Sequence, residues 1–280
     1  MPNPIADPFV EVPDTDATSD LVTLEATPEG AVTVTLNRPG KRNAFDAGLI
    51  GALRETFETL RDQETLRVVF LRGAGGTFCA GADLEWMRAA VDHTEEDNRD
   101  DAMQMSLMLK HLYDIPALTC ALVEGGAFGG GVGLAAACDM AIATAEAKFS
   151  FSEVRLGLIA ATISPYVVAA IGPRRARRLF STGEVFDADQ ARAFGLVDEV
   201  VAGAEQLDAA KARIAAAMLA CAPGAVAESK KLVSEVAGRE IDHGLMVHTA
   251  RRIAAQRVGP EGQAGVRAFL EGRKAPWAEP

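Results

Sequence analysis

Over the first part of the chain the apolar residues gather in short runs, and over the last part they recur every three to four positions. Runs at 22–25, 32–36, 68–71, 118–123 and 140–143 have strand length and are punctuated by glycine, proline and charge, which predicts strands. The stretches 47–61 and 99–113 are amphipathic and predict helices, and the acidic segment 92–97 reads as a mobile loop. After Pro165 the pattern is mostly helical, with helices predicted near 173–181, 188–193, 205–220, 225–235, 243–257 and 260–271. Strand-rich units followed by helices indicate an α/β core with a helical C-terminal region. No repeat of fixed period is visible.

Two glycine-containing segments sit at junctions of this pattern. Cys79-Ala80-Gly81-Ala82-Asp83 lies between run 68–71 and a helix-like stretch opening at Leu84, and segment 125–133 lies between run 117–123 and the helix-like 134–137. The first amides of a helix have no acceptor in their own turn and lie at the positive end of its dipole, so each junction can offer N–H donors to a negative oxygen. Glycine lets a ligand approach the backbone closely. One such turn is ordinary; two in one chain suggest paired donors. Neither is a nucleotide loop, for the G-x-x-x-x-G-K-[ST] ending and the G-x-G-x-x-G register are both missing.

The chain has 280 residues and 49% hydrophobic content, enough for one domain of about 200–260 residues with appendages. Its net charge of −11 argues against a general nucleic-acid binder. A polyanionic ligand must therefore meet local cations: Arg38, Lys41 and Arg42, or Arg273 and Lys274. The third basic group, Arg174, Arg175, Arg177 and Arg178, reads as a solvated or subunit-facing helix. Residues 1–19 hold four acids and no base, and are expected to form a disordered acidic tail, not a signal peptide. The apolar stretch 117–145 is interrupted by Glu124, Asp139 and glycines. A charge at a helix centre in the bilayer costs ~2.5–3.5 kcal/mol, so no membrane span is expected. Cys79, Cys120, Cys138 and Cys221 lack metal-ligand spacing and read as reduced residues of a cytoplasmic protein. His93, His111, His243 and His248 fit neither a metal site nor a serine triad.

Several motifs, in order along the chain, resemble the crotonase or enoyl-CoA hydratase/isomerase superfamily: Leu36-Asn-Arg-Pro39 with Lys41-Arg-Asn-Ala44, Gly76-Thr-Phe-Cys-Ala-Gly-Ala-Asp-Leu84, Phe128-Gly-Gly-Gly-Val-Gly-Leu134 with Cys138-Asp139, Phe151-Ser-Glu-Val-Arg-Leu-Gly-Leu158, Phe194-Gly-Leu-Val197 and Phe269-Leu-Glu-Gly-Arg-Lys274. The resemblance runs over 21–277, and the segments around Glu153 and Ile163-Ser-Pro-Tyr-Val167 are similar to bacterial methylglutaconyl-CoA hydratase-like members. It implies a crotonase-type spiral of ββα units over 20–200 and a helical trimerisation region over 201–280, in a homotrimer or a dimer of trimers. It implies an acyl-CoA thioester as ligand, with coenzyme A entering as part of the substrate and no separate cofactor. By the same resemblance the amides of Ala82 and Gly130 are the oxyanion donors and Glu153 is the catalytic carboxylate. Arg42, Ala44, Ala80, Asp83, Leu84, Phe128, Gly129, Gly133 and Lys274 are then expected to contact the substrate, Lys274 reaching a neighbouring subunit's ligand.

Burial among Phe149, Phe151, Val154 and Leu156 would raise the pKa of Glu153 towards a value useful for proton transfer. The chain departs from the family pattern at Gly133, where two-glutamate hydratases carry their second glutamate. The missing side chain is expected to leave room for a branched or carboxylated acyl group. Ala160 stands where proline is usual, and Glu85 where some members have lysine. Among the other acids, Asp83 reads as a helix cap, Asp139 as structural, and Glu124 as either structural or pocket-lining. The resulting expectation is a hydratase of short or branched α,β-unsaturated acyl-CoA, methylglutaconyl-CoA-like in its finest form. The alternatives are a single-carboxylate Δ3-Δ2 enoyl-CoA isomerase and a noncatalytic acyl-CoA-binding protein.

Overall fold

The computed structural model describes residues 21–278, so the expected tail at 1–19 lies outside the described residues. The chain opens with an antiparallel pair, β1 (Val22–Ala26) and β2 (Ala31–Leu36), followed by α1 (Ala47–Arg61) and β3 (Val68–Gly73). Asp46 starts α1 by accepting from the Leu49 amide at 2.8 Å. Next come α2 (Leu84–Ala90), α3 (Glu95–Tyr113), β4 (Leu118–Val123), β5 (Gly126–Phe128) and α4 (Gly130–Ala137). Then β6 (Met140–Thr144), β7 (Lys148–Ser150), α5 (Ser164–Ile171), α6 (Pro173–Thr182), β8 (Val185–Asp187), α7 (Ala188–Phe194) and β9 (Glu199–Val201) complete the strands. Four helices finish the chain: α8 (Ala204–Leu219), α9 (Pro223–Val236), α10 (His243–Val258) and α11 (Pro260–Leu270).

The large sheet has the order β1-β2-β3-β4-β6-β9 and is parallel beyond the first pair; the small sheet has the order β5-β7-β8. Two turns of the chain, β4-β5-α4 and β6-β7-α5, each give a strand to the large sheet, a strand to the small one and then a helix, while the earlier turns, β1-β2-α1 and β3-α2, give strands to the large sheet alone. This is the expected ββα spiral. Strand β3 is apolar at consecutive positions because both its faces are covered. Val69 and Leu71 join the main core with Leu53, Phe57 and Met108, whereas Val68 and Phe70 face a second core completed by Leu207, Ala210 and Ile214 of α8. Each such fully buried large side chain contributes about 1.5–3 kcal/mol.

Only 92–94 of the acidic segment 92–97 is loop; its second half opens α3. Thr94 and Asp97 form a capping box, with the Asp97 amide donating to Thr94 Oγ1 at 3.2 Å and the Thr94 amide donating to Asp97 Oδ2 at 3.0 Å. The acids Glu95, Glu96 and Asp97 occupy the first turn of α3, where the helix dipole favours them. Strands β5, β7, β8 and β9 were not predicted, since three-residue strands containing Gly, Lys, Asp or Glu leave no apolar run to detect. The helical end divides in two: α8 packs on the large sheet, while α9 buries no residue and α10 and α11 bury one each, Leu245 and Ala268.

Candidate active site

Backbone pairing sets the first glycine segment. The Phe45 amide donates to Gly81 O at 2.7 Å and the Asp83 amide donates to Phe45 O at 2.8 Å. Ala82 lies between these two bonds, so its own N–H faces away from Phe45 and has no backbone acceptor among the described residues. The segment is fixed at its far end by Asp83, a buried residue that caps α2 by accepting from the Glu85 amide at 2.8 Å and pairs with Arg38 at 3.3 Å. These contacts, the Glu85 amide foremost, hold the Asp83 carboxyl below its ordinary range.

The second segment is built differently. Phe128 donates to Cys79 O at 3.0 Å, Gly129 donates to Ser150 O at 2.9 Å, and α4 then starts at Gly130. The Gly130 amide belongs to the first turn, so the helix supplies it no acceptor. Gly129 has φ 49 and ψ −117, a conformation only glycine takes without strain. A side chain there would also meet the Glu153 carboxylate, with Oε1 lying 3.1 Å from the site of a Cβ.

Glu153 sits in a 3-10 turn, Ser152–Leu156, directly after β7, and Gly157 closes that turn in the left-handed region. Its Oε2 is buried with no hydrogen-bond partner, and burial raises its pKa above the ordinary value. Ala82, Gly130 and Glu153 line one cavity of about 430 Å³, together with Ala80, Leu84 and Gly129 from the expected set. Exposed Leu84, Leu156 and Leu158 form an apolar mouth, and α3 forms the opposite wall with Asn98, Asp101, Ala102 and Met105. That wall was missed in the sequence, although its spacing of three and four residues is a helix-face signal. Among the described residues no Lys, Arg or His lines the cavity.

The other expected contact residues do not line it. The Arg42 backbone accepts from the Ala80 amide at 3.0 Å while its side chain is exposed, and Ala44 is buried beneath Arg38. Phe128 belongs to the small sheet, and Lys274 is exposed beyond α11. The room expected beside Gly133 does not exist: a Cβ there would fall 2.1 Å from Ile163 Cγ2, so glycine accommodates α5's approach instead of an acyl group. Glu124 is structural, paired with Arg72 at 3.0 Å, and Arg72 also holds Asp208 of α8 at 3.0 Å. Asp139 accepts from the Thr119 amide at 2.7 Å and pairs with Lys230 at 2.6 Å. Burial pushes the Cys79 thiol up to about 12, so it is no nucleophile. Among the described residues no cluster of metal-ligating side chains occurs, and no single helix is long and apolar enough to cross a membrane.

Buried, raised carboxylate and two unspent amides around an apolar cavity are what proton transfer next to a thioester carbonyl requires. Comparison with known proteins agrees. The sequence profile of the enoyl-CoA hydratase/isomerase family matches residues 26–280. An enoyl-CoA hydratase of Alternaria alternata is 32% identical over 251 residues, covering 88% of this chain and 80% of its own. An enoyl-CoA isomerase/hydratase of Mycosarcoma maydis is 34% identical over 226 residues, covering 77% of this chain and 81% of its own. The crystal structure of an enoyl-CoA hydratase from Shewanella pealeana superposes with a TM-score of 0.88 at 38% identity, covering 92% of this chain and 96% of that one.

Proposed function

We propose, from the premise that this chain belongs to the enoyl-CoA hydratase/isomerase family of enzymes, that it adds water across the double bond of a short or branched α,β-unsaturated acyl-CoA. In this reading the thioester oxygen accepts from the amides of Ala82 and Gly130. When water attacks Cβ, negative charge moves to that oxygen, where each fixed donor is worth about 3–4 kcal/mol. Glu153 delivers the proton to Cα. The observation that carries the reading is the buried Glu153 carboxyl with an unpartnered Oε2 beside Gly129, in the cavity those amides line. Burial makes such a carboxyl hold its proton more readily than a free one, which suits it to deliver that proton to Cα.

The cavity supports an uncharged acyl group, because a terminal carboxylate of the methylglutaconyl kind would meet Glu153 and Asp101 and no cation. Exposed Arg42 and Lys274 suit the phosphates of coenzyme A, Lys274 reaching the ligand of a neighbouring copy. We infer a homotrimer, or a pair of trimers, from the exposed apolar residues of α10 and α11, among them Val258 at 77% and Phe269 at 83% exposure. Light scattering giving a monomer would sink that assembly. We infer a cytoplasmic location, a reading supported by the four unpaired cysteines.

One carboxylate also suffices for a 1,3-proton shift, and Gly133 packed under Ile163 leaves no acid at that position. Turnover of a panel of 2-enoyl and 3-enoyl thioesters, followed by conjugated-thioester absorbance and product mass, separates the two reactions. Hydration of crotonyl-CoA supports the hydratase. Double-bond migration without hydration of any thioester would replace it with the isomerase, and binding with no turnover would leave a noncatalytic acyl-CoA-binding protein.

A further inference from the structure

Adding water moves two protons: one leaves the attacking water and one arrives at Cα. Glu153, whose Oε2 is buried without a partner and whose pKa burial raises, accounts for the second. Among the described residues the only other acidic side chain lining the cavity is Asp101, and no basic one lines it. Helix α3 places Asp101 one turn before Met105 on the same cavity wall, about 6 Å along the axis. Met105 itself abuts the oxyanion loop, its terminal methyl lying 2.8 Å from where a Cβ of Gly130 would be. Asp101 therefore lines the same cavity as the two amides and Glu153, on the α3 wall that also carries Met105. Its carboxylate is half-buried, and its one ion-pair contact is a loose one, 3.9 Å from His93 Nδ1, so its oxygens remain available to water.

We propose that Asp101 is the second carboxylate of the site, holding the nucleophilic water and accepting its proton; this rests on the hydratase reading. As the water oxygen bonds to Cβ, its O–H bond breaks towards Asp101. The Cα–Cβ π pair becomes the enolate held by Ala82 and Gly130, and Cα then takes the proton of Glu153. Asp101 ends protonated and Glu153 ionised, and a proton passing through solvent at the cavity mouth restores both. Only water is consumed.

The test compares wild type, Asp101→Asn, Asp101→Glu and Glu153→Gln in two assays, hydration of crotonyl-CoA and exchange of the Cα hydrogens of butyryl-CoA in deuterated water. Exchange needs the oxyanion donors and Glu153 but no attacking water. Asp101→Asn should lower kcat for hydration at least about 100-fold with little change in KM and leave exchange near wild type. Asp101→Glu should recover part of the hydration, and Glu153→Gln should lose both activities. Hydration by Asp101→Asn within a few fold of wild type overturns the proposal, as does loss of exchange in step with hydration, since Asp101 would then act through Glu153 or the fold. If wild type hydrates nothing yet catalyses exchange, the hydratase reading fails and takes this proposal with it, whereas hydration insensitive to Asp101 removes this proposal alone.

Discussion

The two loops that offer amides to the cavity reach the same end by different means. The 79–83 loop is suspended from its neighbours: Phe45 grips it on either side of Ala82, and Asp83 anchors it to the start of α2 and to Arg38. The 125–133 loop is tied by backbone bonds to Cys79 and Ser150 and then set by positive-φ Gly129 and the immediate start of α4. The first donor is thus placed by the Phe45 backbone and the Asp83 side chain, while the second is placed by the start of a helix. The proton donor belongs to the second loop too, because Glu153 packs on Gly129.

Glu153→Gln should sharpen this contrast most. It should lower kcat by about 10²–10⁴-fold, the range for a positioned acid or base, while acyl-CoA affinity measured by calorimetry stays close to wild type because both amides remain. Parallel loss of affinity would mean that the carboxylate shapes the loop as well as moving the proton. Gly130→Pro comes next, removing one N–H at a first helical position that proline tolerates. A fall of about 10²–10³-fold in kcat for every acyl chain is expected, with circular dichroism and CoA binding measured alongside, because a Cβ there meets Met105 Cε at 2.8 Å and the buried Phe45 ring at 3.0 Å. A loss confined to one substrate would assign the loop to acyl recognition instead.

Asp83→Ala should have a smaller effect, and it tests the suspended loop directly. Losing the α2 cap should cost about 1 kcal/mol of stability, read as a lower denaturation midpoint. It should also lower kcat on the order of tenfold (~1.4 kcal/mol) as Ala82 loses its fixed position. Unaltered kcat would show that Phe45 alone holds that donor. The smallest effect concerns pH. Burial raises Glu153 above its ordinary value of 4.5, so between that value and the raised one the folded chain keeps a proton that the unfolded chain has released. Stability contributed by this group is therefore lost as pH rises through the window. Glu153→Gln should melt slightly higher than wild type above the window and at the same temperature below it; a variant less stable at every pH would contradict this.

Much of the fold was legible because its signals are local. The helix at 47–61 and the strand at 118–123 match their predicted bounds, the first fixed by the Asp46 cap and the second by a continuous apolar run. The junctions containing Ala82 and Gly130, and the turn carrying Glu153, were legible through resemblance, and the structure brings all three to one cavity. What could not be read depends on contacts far apart in sequence. Gly133 gave no hint that Ile163, thirty residues later, would fill the space it leaves. Asp101 looked like one more acid in a charged stretch until α3 was set against the glycine loops. Glu124 could be resolved as structural only once Arg72 stood on the neighbouring strand.

The order of the large sheet, β1-β2-β3-β4-β6-β9, follows the order of synthesis. On a translating ribosome every new strand meets a neighbour that has already emerged, so no edge has to wait for a distant segment before it is paired. Loop closure costs only one crossover at each addition and grows slowly with crossover length. The chain can thus grow its sheet as a ratchet, each strand trapping the one before it.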